Sequence, residues 1–377
     1  MIFIVFAILL GQITSVLGQA EKKPLAITAM KAVSDQVESD WIDDRWTKVD
    51  VGPFLSSTIN TQNGRVHKGI AIKVGDKAQA TICFNSELLS YHSAWINGFL
   101  TLKPRRFGLT EWPDPKGKML FINGNNLGWS HKSKWSDPRP EKRGSLPRNW
   151  GKYLGLYRHG KRVVLHYKIN DITVLESPWA GDVDGEKYIS RTLELEPSEQ
   201  KLSNLVASYP NTKTEQFNYN TAKIINESKD LWIRVLGKGA TLSIQKQRII
   251  LNLASSKKKR IVKILLCNSK AALDKITKKK KTIDSPSRLT RGGPGIWTPL
   301  ATNGIIGKIK NSFAIDTIQL PFNNPWNALL FTSGHDFLDD QSALLATVHG
   351  DIWRVSGIDK TLKSVKWTRF ATGLFQP

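Results

Sequence analysis

The sequence predicts an all-β protein in two parts. The first is an N-terminal antiparallel β-sandwich with a long irregular insertion. The second is one four-stranded propeller-like blade, an incomplete propeller. Three observations carry this. Short apolar runs alternate with Gly, Asn, Asp and Pro turn residues along most of the 377-residue chain. The only convincing helix past the leader is short, Lys270 to Thr277. The stretch Leu320–Val355 sets apolar runs between tight turns, as in a blade of an antiparallel propeller. Pro377 follows about one blade later, whereas a propeller closes with roughly four to eight.

Residues 1–20 are an apolar run of Ile, Phe, Val and Leu ending in small residues, short for a membrane span. They read as a secretory signal peptide, with an uncleaved N-terminal anchor as the alternative. The expected location is periplasmic or extracellular. Residues 21–40 are polar and helix-compatible, a leader onto the fold.

The sandwich is expected over residues 21–277. Gly69–Gly75 and Ala80–Phe84 read as a hairpin around Gly75-Asp76, and Ala94–Leu102 as the next strand. Pro104–Asn149 is rich in Pro, Gly, Asn, Trp and basic residues, a long insertion with one short strand at Met119–Ile122. Loops of that length inside a domain are usually functional or irregularly packed. Strands resume with Tyr153–His159, Arg162–Ile169, Asp171–Ser177, Tyr188–Glu196 and Leu202–Ser208. Leu231–Leu236, Ala240–Gln245, Arg248–Leu253 and Arg260–Cys267 complete the series. Residues 278–296 combine a lysine run with Ser285-Pro286-Ser287 and Arg291-Gly292-Gly293-Pro294-Gly295, and form the expected linker. The blade is expected over residues 297–377, with strands at Phe313–Leu320, Ala328–Ser333, Ala343–His349, Asp351–Ser356 and Lys363–Phe370.

The formal net charge of +23 favours anionic partners, of which a polysaccharide or other anionic glycan suits a secreted protein and nucleic acid does not. The excess gathers in Lys257-Lys258-Lys259-Arg260 and Lys278-Lys279-Lys280-Lys281, which as solvated turns need no ligand. The two cysteines, Cys83 and Cys267, lie in apolar runs and read as buried thiols, with a disulfide as the alternative. There is no Gly-rich phosphate loop, no Ser nucleophile elbow and no His-Glu-x-x-His, so nothing points to a metal.

His335-Asp336 and His349-Gly350-Asp351 are the candidate catalytic residues. An Asp can orient a His as a general base, and both pairs are expected at strand ends. The competing reading is structural, since Gly350-Asp351 is also good turn chemistry. Trp112, Trp129 and Trp135, with Arg106, are the candidate ligand-binding residues. Indoles stack on the apolar faces of sugars, but they also pin coreless loops. Glu194 and Glu196 share a strand face, a weak echo of glycosidase carboxylates.

Several segments, in order, resemble one family. They are Trp41-Ile42-Asp43-Asp44-Arg45-Trp46, Asp50-Val51-Gly52-Pro53-Phe54, Gly69-Ile70-Ala71-Ile72-Lys73, Ala94-Trp95-Ile96-Asn97-Gly98-Phe99-Leu100, Gly155-Leu156-Tyr157, Val174-Leu175-Glu176-Ser177-Pro178, Asn324-Pro325-Trp326-Asn327, Gly334-His335-Asp336-Phe337 and His349-Gly350-Asp351. The chain resembles the N-terminal part of secreted haem-binding dehydrogenase-like proteins of the planctomycete–verrucomicrobial group: a β-rich domain of unknown function, then a propeller of the glucose/sorbosone dehydrogenase-like kind, then a c-type haem domain. The resemblance implies a front portion that is not catalytically complete by itself. The Cys-x-x-Cys-His of the haem domain is not in this sequence, so haem c is expected only in full-length relatives. A lone blade exposes a sheet edge, which makes a separate propeller or haem-domain protein an expected partner. A non-enzymatic glycan-binding or assembly module is the alternative function.

Overall fold

The computed structural model describes residues 24–26, 44–137, 139–227, 229–279, 283–309 and 312–377. The signal segment and most of the leader lie outside the described residues. Strand makes up 49% of the structure and helix 6%, in several antiparallel sheets with no closed barrel. The protein is all-β, as its alternating pattern predicts.

The N-terminal part is built on a five-stranded and an eight-stranded sheet, with a three-stranded sheet beside them. The five-stranded sheet runs Phe54–Thr61, Gly64–Val74, Ala80–Asn85, Ser90–Ile96 and Lys118–Ile122 in spatial as in chain order. The Gly75-Asp76 hairpin is present, with Val74 opposite Ala80. The next strand ends at Ile96, earlier than the sequence suggests. Asn97 turns left-handed (φ 65°), and a Cβ on Gly98 would lie 2.0 Å from the Lys116 carbonyl oxygen. Leu100–Thr101 therefore pairs separately with Asp114–Pro115.

The eight-stranded sheet joins Gly151–His159, Arg162–Ile169, Ile172–Val183 and Glu186–Leu195 to Arg260–Cys267, Leu231–Leu236, Thr221–Ile225 and Lys213–Asn218. Leu202–Ser208, Arg248–Leu253 and Ala240–Gln245 form the three-stranded sheet. One apolar cluster spans all three, from Phe54, Ile82 and Phe121 to Leu165, Leu193, Leu251 and Ile264. Burial of these side chains at roughly 25 cal/mol per Å2 is the main stabilising term. The insertion contributes to it rather than looping out. Asn123 donates to the Tyr91 carbonyl (2.9 Å) and accepts from the Ser208 backbone N–H (2.7 Å). Trp129 bridges to Asn204 and is 2% exposed.

The helix spans Lys270–Lys279 and packs Ala272, Leu273 and Ile276 against Leu265 and Cys267. The end of the lysine run, Lys280 and Lys281, and Thr282 after it lie outside the described residues. The linker from 283 folds back over the sheet through a 3-10 turn, Pro286–Leu289.

The C-terminal sheet holds a four-stranded antiparallel meander: Thr332–Phe337, Ala343–Thr347, Ile352–Ser356 and Val365–Ala371. Leu300–Thr302 pairs beyond Val365–Ala371, and Leu25–Ala26 pairs parallel beyond that. The leader residues that are described are thus extended rather than helical. Two blade expectations shift. Only Thr317–Ile318 of the first expected strand pairs, with Gly304–Ile305. Ala328–Leu330 is buried but not a strand, because the first meander strand begins at Thr332.

Candidate functional site

The blade and the sandwich meet in a continuous seam. Trp46, Leu55, Trp95 and Leu100 cluster with Leu329, and Phe107 and Phe331 pack on the same group. Main-chain bonds cross from Ser56 N–H to Gly373 O (2.7 Å) and from Asp50 N–H to Trp326 O (2.9 Å). This seam gathers more of the sequence candidates than any other place. A small cleft of about 90 Å3 is lined by Trp46, Phe107, Trp112 and His349, with Lys103 and Glu111 among the polar groups.

His349 sits in the turn between Ala343–Thr347 and Ile352–Ser356. Its Nε2 lies 3.0 Å from the Phe107 carbonyl oxygen, so Nε2 carries the proton and donates. Nδ1 is then a lone pair, buried and without a partner. The ring packs on Trp46 (5.1 Å) and Phe331 (5.4 Å), and burial holds its pKa down at about 4. A neutral imidazole in an aromatic nest, tied to the insertion, is a clasp between the two parts.

Asp351 is two residues on and faces elsewhere. Arg369 grips it with two hydrogen bonds, Nε to Oδ2 at 2.8 Å and Nη2 to Oδ1 at 2.9 Å, and both side chains are almost fully buried. Burial raises the Asp351 carboxyl and Arg369 opposes the rise. Arg369 also donates to the Asp50 carbonyl (2.7 Å) and lies over the Trp297 ring at 4.4 Å. Asp351 therefore orients a cross-seam cation and does not orient His349. Arg369, Trp297 and Trp46 went unread as site residues. Arg369 had a signal: it falls in the inward register of Val365 and Trp367, where a cation needs a buried partner.

His335 and Asp336 lie within the Thr332–Phe337 strand, not at a strand end, and both are exposed. His335 shares the face of Leu345 and Trp353, and Asp336 points to the opposite face. A period-2 strand keeps the two side chains apart.

The insertion residues also separate. Trp112 is 39% exposed, with Arg65 over its ring at 4.1 Å. Trp129 is buried beside Tyr167, and Trp135 is partly buried against the main core. Trp129 offers no face to a sugar in this fold. Arg106 is exposed, in a left-handed turn (φ 44°) next to the cleft residue Phe107.

The strongest buried charge cluster lies inside the sandwich. Arg191 donates from Nε to Glu176 (2.7 Å) and from Nη2 to Asn204 (3.0 Å), and Tyr167 donates to the other Glu176 oxygen (2.7 Å). Arg191 also lies over the Tyr91 ring at 4.3 Å. All five side chains are at most 1% exposed, so the network fixes the core and meets no substrate. Glu194 and Glu196 are bridged by Lys259 at 3.2 and 2.9 Å, and Glu194 also accepts from the Ser287 N–H (3.0 Å). That pair anchors the linker. Cys83 and Cys267 are both free and buried, and burial pushes the Cys83 thiol up to about 12. Among the described residues no group of three or more His, Cys, Asp or Glu could hold a metal ion.

Of the larger cavities away from the clasp, two lie beside basic residues and Trp297 or Trp179. One of about 430 Å3 opens where the Asp50–Pro53 turn meets Lys73, Lys77, Lys161 and Trp297. Lys73 is half-buried there, 3.8 Å from Asp50, and desolvation lowers its pKa. The other, of about 260 Å3, lies between the eight-stranded sheet and the linker.

A family comparison covers part of the buried charged network. Residues 82–176 match the model of a domain of unknown function, DUF6797. The match runs from the Ala80–Asn85 strand through the insertion to Glu176, and so includes Tyr91, Tyr167 and Glu176 of the buried network. No curated protein matches the chain. Among the described residues no helix is long and apolar enough to cross a membrane.

Proposed function

We propose that this chain is a non-catalytic assembly module of a secreted, haem-associated, sugar dehydrogenase-like system. The sandwich holds a propeller-type blade rigidly, and the blade's open edge pairs with the edge of another propeller-type sheet, which for the isolated chain is a second copy of itself. One observation carries this reading. Among the described residues the Thr332–Phe337 strand is hydrogen-bonded on one side only, and all six of its residues are exposed. The face that buries Trp353 and Trp367 further across the sheet continues under this strand as His335 and Phe337, and Phe337 is 68% exposed. Natural proteins rarely leave such an edge and apolar face without a covering element.

The sugar dehydrogenase and haem parts of the proposal rest on the sequence resemblance, and so does the periplasmic or extracellular location. Engagement of His349 and Asp351 in holding the seam supports a module that performs no chemistry itself. Sedimentation velocity on the purified chain tests the proposal, together with a dye-reduction assay over a panel of sugars. The expected result is concentration-dependent association that His335→Pro abolishes, with no sugar-dependent dye reduction. A chain that stays monomeric at high concentration, or that reduces dye with a sugar, contradicts it.

A further inference from the structure

The cavity between the eight-stranded sheet and the linker has the chemistry of a receptor for an acidic sugar. Its floor is the outward face of the sheet, where Arg162, Ser177, Trp179, Tyr188, Ser190 and Thr192 converge from adjacent strands. Its roof is the linker turn, with Asp284, Ser285 and Arg288. Lys263 also lines the cavity, and Arg162 lies in the field of two carboxylates, Asp284 and Asp76.

Arg162 is the decisive residue. Its guanidinium lies over the Trp179 ring at 4.2 Å and donates from Nη2 to the Ser177 hydroxyl at 3.3 Å. Its Nε is buried and has no partner. A buried guanidinium N–H without an acceptor costs free energy that a folded protein normally avoids. Ser190 and Thr192, 3% and 6% exposed, add two hydroxyls to the same floor. Indole and phenol rings beside them supply the apolar surface that a pyranose ring requires. Guanidinium forks recognise planar and tetrahedral oxyanions better than ammonium groups do.

We propose that this cavity binds an acidic saccharide, its carboxylate or sulfate held by Arg162 and Arg288 and its ring set against Trp179 and Tyr188. The site is separate from the blade edge, so it stands or falls independently of the assembly reading.

Titration calorimetry on the full chain tests it with four probes: trigalacturonate, a monosulfated chondroitin disaccharide, neutral cellotriose and inorganic sulfate. The expected result is one site per chain for at least one acidic saccharide, bound ten-fold or more tighter than cellotriose or inorganic sulfate. Which acidic probe binds identifies the oxyanion. Arg288→Ala, at an exposed position, should weaken binding at least five-fold with an unchanged melting temperature, and Trp179→Leu should weaken it similarly. Lys257→Ala/Lys258→Ala, on an exposed turn elsewhere, should leave it unchanged. Equal binding of cellotriose or of inorganic sulfate overturns the proposal. So does an affinity that follows Lys257 and Lys258 rather than Arg288, or the lack of binding by either acidic probe.

Discussion

At the scale of single residues, the clearest lesson concerns His349 and Asp351. Their spacing invited a catalytic reading, and their types were right for it. The backbone turn at Gly350 (φ 99°) sends them to different partners, one to the Phe107 carbonyl and the other to Arg369. Nothing in a dipeptide spacing encodes that divergence. The Asp351–Arg369 pair is desolvated on both sides, so removing one member strands the other charge. Arg369→Met should destabilise the fold by about 3–5 kcal/mol in urea denaturation. The double variant Asp351→Leu/Arg369→Met should lose less than the sum of the single losses.

His349 and His92 are both buried neutral, each held at about 4 by desolvation. An unfolded imidazole titrates near about 6.5. Between those values the unfolded chain binds more protons than the folded one. Stability is therefore full above about pH 6.5, declines as pH falls towards 4, and loses no more from these groups below that. Each ring accounts for up to about 3 kcal/mol of the decline. Denaturation midpoints measured from pH 7 to 4 should show a shallower fall for His349→Gln than for the wild type. Parallel curves would mean that the ring is not buried neutral.

At the scale of elements, apolar alternation was a good guide to many strands of the sandwich. Leu231–Leu236, Ala240–Gln245, Arg248–Leu253 and Arg260–Cys267 begin and end where their apolar alternation and turn residues place them. Phe54–Thr61 and Lys213–Asn218 went unread because they are edge strands with Ser, Thr, Lys and Glu on their open sides. The insertion was legible as a long irregular segment, but not as part of the core. Its fit depends on close backbone passage at Gly128, where a Cβ would lie 1.8 Å from the Leu89 carbonyl oxygen. Gly128→Ala should therefore cost about 2 kcal/mol or more, seen as a lowered urea midpoint with the slope unchanged. A neutral outcome would mean that the segment can move away from Leu89 freely.

At the scale of the molecule, the sandwich and the blade behave as one bolted unit. The main-chain bonds at Asp50 and Ser56, the Arg369 bridge and the His349 clasp all cross the same seam. A blade held this firmly presents its remaining edge in a fixed orientation, which lowers the entropic cost of pairing with another sheet. Charge and composition pointed to an anionic partner without locating one. The residues that could receive it, Arg162 and Arg288 among them, are scattered through the sequence and meet only when the linker folds over the sheet.

In the proposed assembly the Thr332–Phe337 edge is the docking element. Amide hydrogen exchange measured over a concentration series addresses it most directly. The predicted result is rapid exchange of alternate amides in residues 332–337 at low concentration and protection of those same amides as the chain associates, with the sandwich strands unchanged. Association that leaves these amides unprotected, or protection that appears elsewhere, would contradict the account.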